Sequence, residues 1–222
     1  MNSQEYWDHK IIEWEDSQRG NQNISFIEKL ASYFRGPVKF RTQWCLEILE
    51  KFVNDKTILE LGCGSGYVAF ELYKRGQPKH ITGIDISHNA IERAQNLSRD
   101  RNLTGQFTFL ESEAVSATLP ATDITIGLGF LDYLTADETR ELFNKLRSRY
   151  FLFTFVEKKV SLFRYIHIAY LWSQKCPKHY YYSKEEMLSF ISKNYGKVKF
   201  LNDPRLSFGC ITHNLPDTVW HE

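Results

Sequence analysis

The chain carries almost no net charge. Its 28 basic residues and 27 acidic residues leave a formal charge of +1. No global field is available to draw in nucleic acid. Its four cysteines, at 45, 63, 176 and 210, show no metal-ligand spacing, and no metal site is expected. Cys63 falls inside a glycine turn, where a disulfide would be awkward, so reduced thiols and a cytoplasmic location are expected. There is no run of about twenty apolar residues to span a bilayer. The first eight residues lack a basic-then-apolar leader. Internal repeats and low-complexity segments are also missing. What remains is a chain of 222 residues rich in aromatics, with 16 Phe, 12 Tyr and 5 Trp. It suits one domain, 1–222, with a single sizeable core.

The most informative stretch is Ile-Leu-Glu-Leu-Gly-Cys-Gly-Ser-Gly-Tyr at 58–67. Apolar residues and Glu60 lead into Gly62, Cys63, Gly64 and Gly66, and an apolar stretch follows. The pattern predicts a buried strand, a tight turn and a helix start. Glycines serve where the backbone takes positive φ or approaches a ligand closely. The turn's amides next to a helix N-terminus would form a polar cradle. A nicotinamide dinucleotide site has the spacing Gly-x-Gly-x-x-Gly. Here the third glycine comes one residue early. The next strand candidate, 80–86, contains Asp85, about twenty residues past the turn, where a ribose-binding carboxylate is expected. A backbone cradle and a diol acceptor thus converge on one nucleoside.

The rest of the chain alternates. Residues 1–53 read as three helices, 6–18, 24–34 and 40–53, the last two separated by Gly36-Pro37. Strands are expected at 57–61, 80–86, 106–110, 123–128 and 150–156. The first helix of the alternation runs to about residue 74. A second starts near Ser87, a good N-cap, and a third opens with the capping box Thr135-x-x-Glu138. Ser183-x-x-Glu186 is another such box. Two closing strands, 197–201 and 206–213, flank a hairpin-like turn at 202–205. Alternating strands and helices imply a parallel sheet, and the hairpin implies one antiparallel strand. The expected fold is α/β: a doubly wound, Rossmann-like, seven-stranded sheet with an N-terminal helical lid over 1–53. Residues 54–156 form the cofactor-binding core, 157–182 a substrate-side insertion, and 183–222 the final helix and strand hairpin.

The turn at 60–66 together with Gly83-Ile-Asp85 resembles class I S-adenosylmethionine-dependent methyltransferases, over roughly residues 56–156. The resemblance implies S-adenosylmethionine as cofactor and S-adenosylhomocysteine as product. It implies Asp85 on the ribose and Ile86 against the adenine. An acid after the third strand, Glu113 ahead of Glu111, would accept from the adenine amino group, with the Ala114 amide reading the ring. Glu60 would lie near the cofactor's amino group, and Gly127, Leu128 and Gly129 would approach its methionine part. Each has a plainer reading: Asp85 as a helix N-terminal charge, Glu113 as a solvated loop charge, the glycines as a bulge.

The acceptor side carries Asp132 and Tyr133 just past the fourth strand, with His167 and His179 in the insertion. Transfer to oxygen usually needs a base, and Asp132, His179 and His167 are the catalytic candidates, Asp132 first and His179 second. The aromatic segment 160–182 suits a cover over a planar or apolar acceptor, or simply packs the insertion onto the sheet. Within 1–35, Tyr6, Trp7 and Tyr33 are candidate lid contacts. The arrangement is loosely similar to magnesium-protoporphyrin and ubiquinone-pathway O-methyltransferases. The porphyrin enzymes carry a His-Tyr pair where this chain has Asp132-Tyr133. The leading reading is methyl transfer to a small-molecule acceptor, on oxygen, without nucleic-acid partners. N-methylation of a protein or RNA, and a non-catalytic S-adenosylmethionine-binding module, stand as alternatives.

Overall fold

The computed structural model describes residues 4–11, 26–159, 168, 171, 172, 176, 178–207 and 209–220. Helix α1 covers 4–11, and α2 covers Phe26–Glu50. Strict alternation follows: β1 (Thr57–Leu61), α3 (Tyr67–Gly76), β2 (His80–Asp85), α4 (His88–Asp100), β3 (Phe107–Glu111), β4 (Ile124–Gly127), α5 (Ala136–Lys145) and β5 (Tyr150–Val156). Helix α6 (Lys184–Phe190) and strands β6 (Lys199–Leu201) and β7 (Gly209–His213) close the chain.

The seven strands lie in the order β3-β2-β1-β4-β5-β7-β6. All pairs through β5 are parallel. Strand β7 inserts antiparallel between β5 and β6. The chain leaves β1 towards β2 and β3, then crosses back to β4 and β5. The order therefore reverses beside β1, the place where open α/β sheets bind ligands at the strands' carboxyl ends.

The core divides between the two sheet faces. Ile58, Ile81, Ile124, Leu152 and Ile211 join Cys45, Leu46 and Leu49 of α2 in one cluster. Leu59, Leu61, Ile84, Phe151, Phe153 and Phe155 join Leu142, Phe143 and Met187 in the other. Neighbouring residues such as Ile58 and Leu59 go to opposite clusters, as pleating requires. In β5, Phe151 to Val156 are all buried, as expected of a central strand in a parallel sheet. Full burial of such a side chain is worth about 1.5–3 kcal/mol, so the sheet is a rigid platform for the loops at its edge.

Local signals behaved as the sequence suggested. The Ser87 hydroxyl accepts from the Ala90 amide. Thr135 and Ser183 each complete a reciprocal capping box. The N-terminal helices differ from expectation, because α2 runs through Gly36-Pro37 without a break. An interior proline costs about 3 kcal/mol, through its missing donor and a clash with its surroundings. Part of the clash with the preceding residue involves that residue's Cβ, and Gly36 has none. Burial of Cys45, Leu46, Ile48 and Leu49 anchors the helix beyond the proline. The expected helix 6–18 is described only over 4–11. The closing strands are shorter than expected, because Pro204–Leu206 coils into a 3₁₀ turn that the Asp203 side chain caps.

Candidate cofactor and acceptor site

The glycine turn lies between β1 and α3. Gly62, Gly64 and Gly66 all have left-handed φ, at 68°, 53° and 82°. A Cβ on Gly66 would sit 2.9 Å from the Phe109 ring. One expectation changes here. The Gly62 and Cys63 amides both donate to the Ile84 carbonyl, and the Gly66 amide donates to the Cys63 carbonyl. The Gly64 amide donates to Asp85 Oδ2 at 2.8 Å. These amides stitch the turn to β2, so what the turn offers a ligand is space and close backbone approach rather than a row of free donors. Glu60, 3% exposed, lies in β1 just before the turn, opposite Ile126 of β4.

Asp85 ends β2, half-buried. Its other oxygen accepts from the Ser87 amide at 2.9 Å. A carboxylate has about four acceptor positions, and backbone amides of the glycine turn and of the next helix start each take one on Asp85. The Asp85 carbonyl also accepts from the Ser112 amide, which ties the turn after β3 to the end of β2. Ile86 is half-buried beside it. Glu113 is exposed and accepts from the Ser116 hydroxyl, and Ala114 beside it is buried. Glu111 accepts from Gln4 at 3.1 Å and lies 2.7 Å from His88 Nδ1. The Glu111 carboxylate raises the His88 pKa.

At the end of β4, a Cβ on Gly127 would strike the Phe153 ring at 2.6 Å. Leu128 is half-buried. Gly129 has φ 74° and donates to Thr154 Oγ1 at 2.7 Å. Phe130 lies against Gly62, so the β4 loop and the glycine turn share a wall. Asp132, 4% exposed, sits in the 3₁₀ turn Leu131–Tyr133. Its Oδ1 accepts from the Val156 amide at 2.6 Å, and its carbonyl accepts from the Tyr180 amide at 2.7 Å. It thereby joins the ends of β4 and β5 to the 178–182 segment. Burial pushes its pKa up to about 6, against the amide bond and the Arg41 charge, which lower it.

Helix α1 crosses these strand ends. Asp8 accepts from the Ser87 hydroxyl at 2.9 Å, and its carbonyl accepts from Asn89 Nδ2. Gln4 reaches Glu111. Trp7 packs edge-on against Tyr133 at 4.9 Å, and Tyr6 against Trp7 at 5.1 Å. The chain of rings continues from Tyr133 to His179 at 5.7 Å and from His179 to Tyr181 at 4.9 Å. Cys176 lies beside the Tyr6 hydroxyl and its thiol is raised by burial. Asp132 and His179 thus flank Tyr133. His167 and the Tyr33 side chain lie outside the described residues. Sequence reasoning missed Arg41, Asp8 and Thr154. Their roles come from contacts between distant segments, and no local motif marks them.

A family model described as a methyltransferase domain matches residues 52–170. This span holds the turn, Asp85 and the end of β4. The chain belongs to the class I S-adenosylmethionine-dependent methyltransferases. Magnesium protoporphyrin IX methyltransferase from Synechocystis PCC 6803, solved with bound S-adenosylhomocysteine, shares the fold at TM-score 0.71 and 17% identity, covering 95% of this chain and 96% of that one. Ribosomal protein L11 methyltransferase from Pasteurella multocida is 36% identical over 81 residues, 36% of this chain and 27% of that protein. The same enzyme from Shewanella denitrificans is 31% identical over 106 residues, 45% of this chain and 36% of that protein. The chain thus spans about a third or less of the length of these curated relatives. None of the four cysteines of this methyltransferase is joined in a disulfide. Among the described residues no helix is long and apolar enough to cross a membrane, and no group of three or more His, Cys, Asp or Glu side chains could hold a metal.

Proposed function

We propose that the protein transfers a methyl group from S-adenosylmethionine to an oxygen of a small-molecule acceptor. The observation that carries this reading is the continuous run of packed rings from Tyr6 and Trp7 through Tyr133, just past β4, to His179 and Tyr181. It suits an apolar, flat acceptor, and α1 supplies two of its rings. The residues fit the cofactor. Left-handed glycines keep side chains away from the turn, and the Asp85 carboxylate stands at the end of β2, bonded to the turn's Gly64 amide, as the acid for a diol. Glu60 would be the acid for an amino group, and the Ala114 and Ile86 region would take an adenine.

The cofactor's sulfonium supplies an already activated methyl. The protein's own residues hold, orient and dry the site. Asp85 and the turn fix the nucleoside. Gly127, Leu128 and Gly129 allow close backbone approach on the β4 side. Helix α1, pinned by Asp8 and Gln4, excludes water, which favours alignment over hydrolysis. We assign proton acceptance to His179, which is half-buried on the ring wall. Asp132, with one oxygen on the Val156 amide, holds the segment that carries His179 and serves as the second proton acceptor.

An N-methyltransferase of a protein is the competing reading, since the curated relatives act on ribosomal protein L11. The test is formation of S-adenosylhomocysteine with a panel of phenols, carboxylic acids, amines and ribosomal proteins. Turnover with hydroxyl or carboxyl acceptors supports the reading. Turnover confined to amines or proteins overturns it.

A further inference from the structure

We propose that Arg41 is the receptor for the carboxylate at the amino-acid end of the cofactor. The inference rests on the cofactor reading above and adds a residue that no motif marks. Arg41 projects from α2, outside the 52–170 span of the family match. Its guanidinium reaches the end of β4: a Cβ on Gly129 would stand 2.9 Å from Nη2 and 3.0 Å from Nη1. Gly129, left-handed and without a side chain, is what admits the group. Arg41 Nε is buried with no hydrogen-bond partner. No salt bridge joins the guanidinium to another described residue.

An arginine is always charged and offers five donors in a fixed fork. Holding that fork half-buried and unmatched costs free energy unless an anion meets it. Asp132 feels its field, but no ion pair or hydrogen bond joins the two side chains, and Asp132 Oδ1 takes the Val156 amide instead. Sheet order then decides which anion. The nucleoside end belongs to β2 and β3, where Asp85 and Ala114 lie. In the order β3-β2-β1-β4, a ligand crossing the glycine turn at β1 delivers its other end to β4. Phe130 against Gly62 shows that turn and loop adjoin. The end arriving at β4 is an amino acid, and its carboxylate matches the fork in bidentate fashion.

The test is titration calorimetry of wild type, Arg41→Met and Arg41→Lys with two ligands. One is S-adenosylhomocysteine. The other is 5′-methylthioadenosine, which lacks the amino-acid end. Arg41→Met is expected to weaken S-adenosylhomocysteine by about tenfold or more and to leave 5′-methylthioadenosine within about twofold. Arg41→Lys is expected to fall between, because it keeps the charge without the fork. Thermal melts check that the variants fold. Equal losses for both ligands, or unchanged S-adenosylhomocysteine binding, would overturn the assignment while sparing the cofactor reading. An unchanged S-adenosylhomocysteine affinity with a raised KM for carboxylate-bearing acceptors would also overturn it and move the receptor to the acceptor. Wild type that binds neither ligand overturns both.

Discussion

Asp85→Ala tests the link between fold and ligand. The carboxylate accepts from the Gly64 amide at 2.8 Å and the Ser87 amide at 2.9 Å. Hydrogen bonds to a charged group contribute about 1.5–3 kcal/mol each. Asp85 is only half-buried, so water recovers part of that, and a net loss of ~2–3 kcal/mol is expected. For a chain of this size the melting temperature should fall by about 2–4 °C per kcal/mol. Ligand binding loses a second, separate amount. Removing the acceptor of a hydroxyl pair costs about 1–3 kcal/mol, so the Kd for S-adenosylhomocysteine should rise tenfold or more. Calorimetry and differential scanning fluorimetry on the same sample measure the two losses. Asp85→Asn keeps one acceptor oxygen and is expected to be milder on both counts. An analogue lacking the ribose 2′-hydroxyl separates loop opening from diol recognition, because wild type should discriminate against it and Asp85→Ala should not. A folded Asp85→Ala protein with an unchanged Kd would refute the reasoning.

Asp132→Asn should be more stable than wild type at pH 8 and no more stable at pH 4. The folded pKa is raised from 3.8 to about 6 by burial, so the wild-type contribution is fully present below about 3.8 and lost as pH rises through 6. The interval corresponds to at most ~3 kcal/mol, and melts across pH check the sign. For His213 the direction is opposite. Burial lowers its pKa from 6.5 to about 4, so its contribution is present above 6.5 and lost as pH falls towards 4. His213→Gln should flatten that acid limb of the melting profile. Deleting residues 1–20 removes the Asp8, Gln4 and Trp7 contacts, and should weaken S-adenosylhomocysteine binding while a cooperative melt persists. Equal affinity would leave α1 a structural element only. Once an acceptor is known, His179→Ala should lower single-turnover rates by about 10²–10⁴-fold with cofactor affinity retained. A wild-type rate would remove His179 as proton acceptor.

Much of the fold was legible because it is written in short-range chemistry. The spans of β1 and β5 match their apolar runs, and Ser87, Thr135 and Ser183 cap helices as their spacing indicates. The glycine turn and Asp85 were legible for the same reason: left-handed glycines and a strand-end acid leave a local mark. Helix α2 was misread at Gly36-Pro37 because the rule against helix before proline depends partly on a Cβ that glycine lacks. The occupied amides of the turn could not be foreseen, since their partners, Ile84 and Asp85, come from the next strand. Arg41 escaped for a stronger reason. One arginine in a helix looks like any solvated charge until α2 packs across the sheet and brings it to Gly129. Asp132 was picked out for its position beyond β4, but its bond to Val156 arises only when β5 lies alongside.

The central claim is that the glycine turn holds S-adenosylmethionine. Calorimetric titration of S-adenosylhomocysteine into wild type and Gly64→Val tests it most directly. Gly64 sits at φ 53° with its amide on Asp85, and a β-branched side chain resists that conformation and fills the space the glycine leaves. The account expects one site per chain in wild type and no measurable heat from a folded Gly64→Val protein. Silent wild type, or a variant that binds as wild type does, would contradict it.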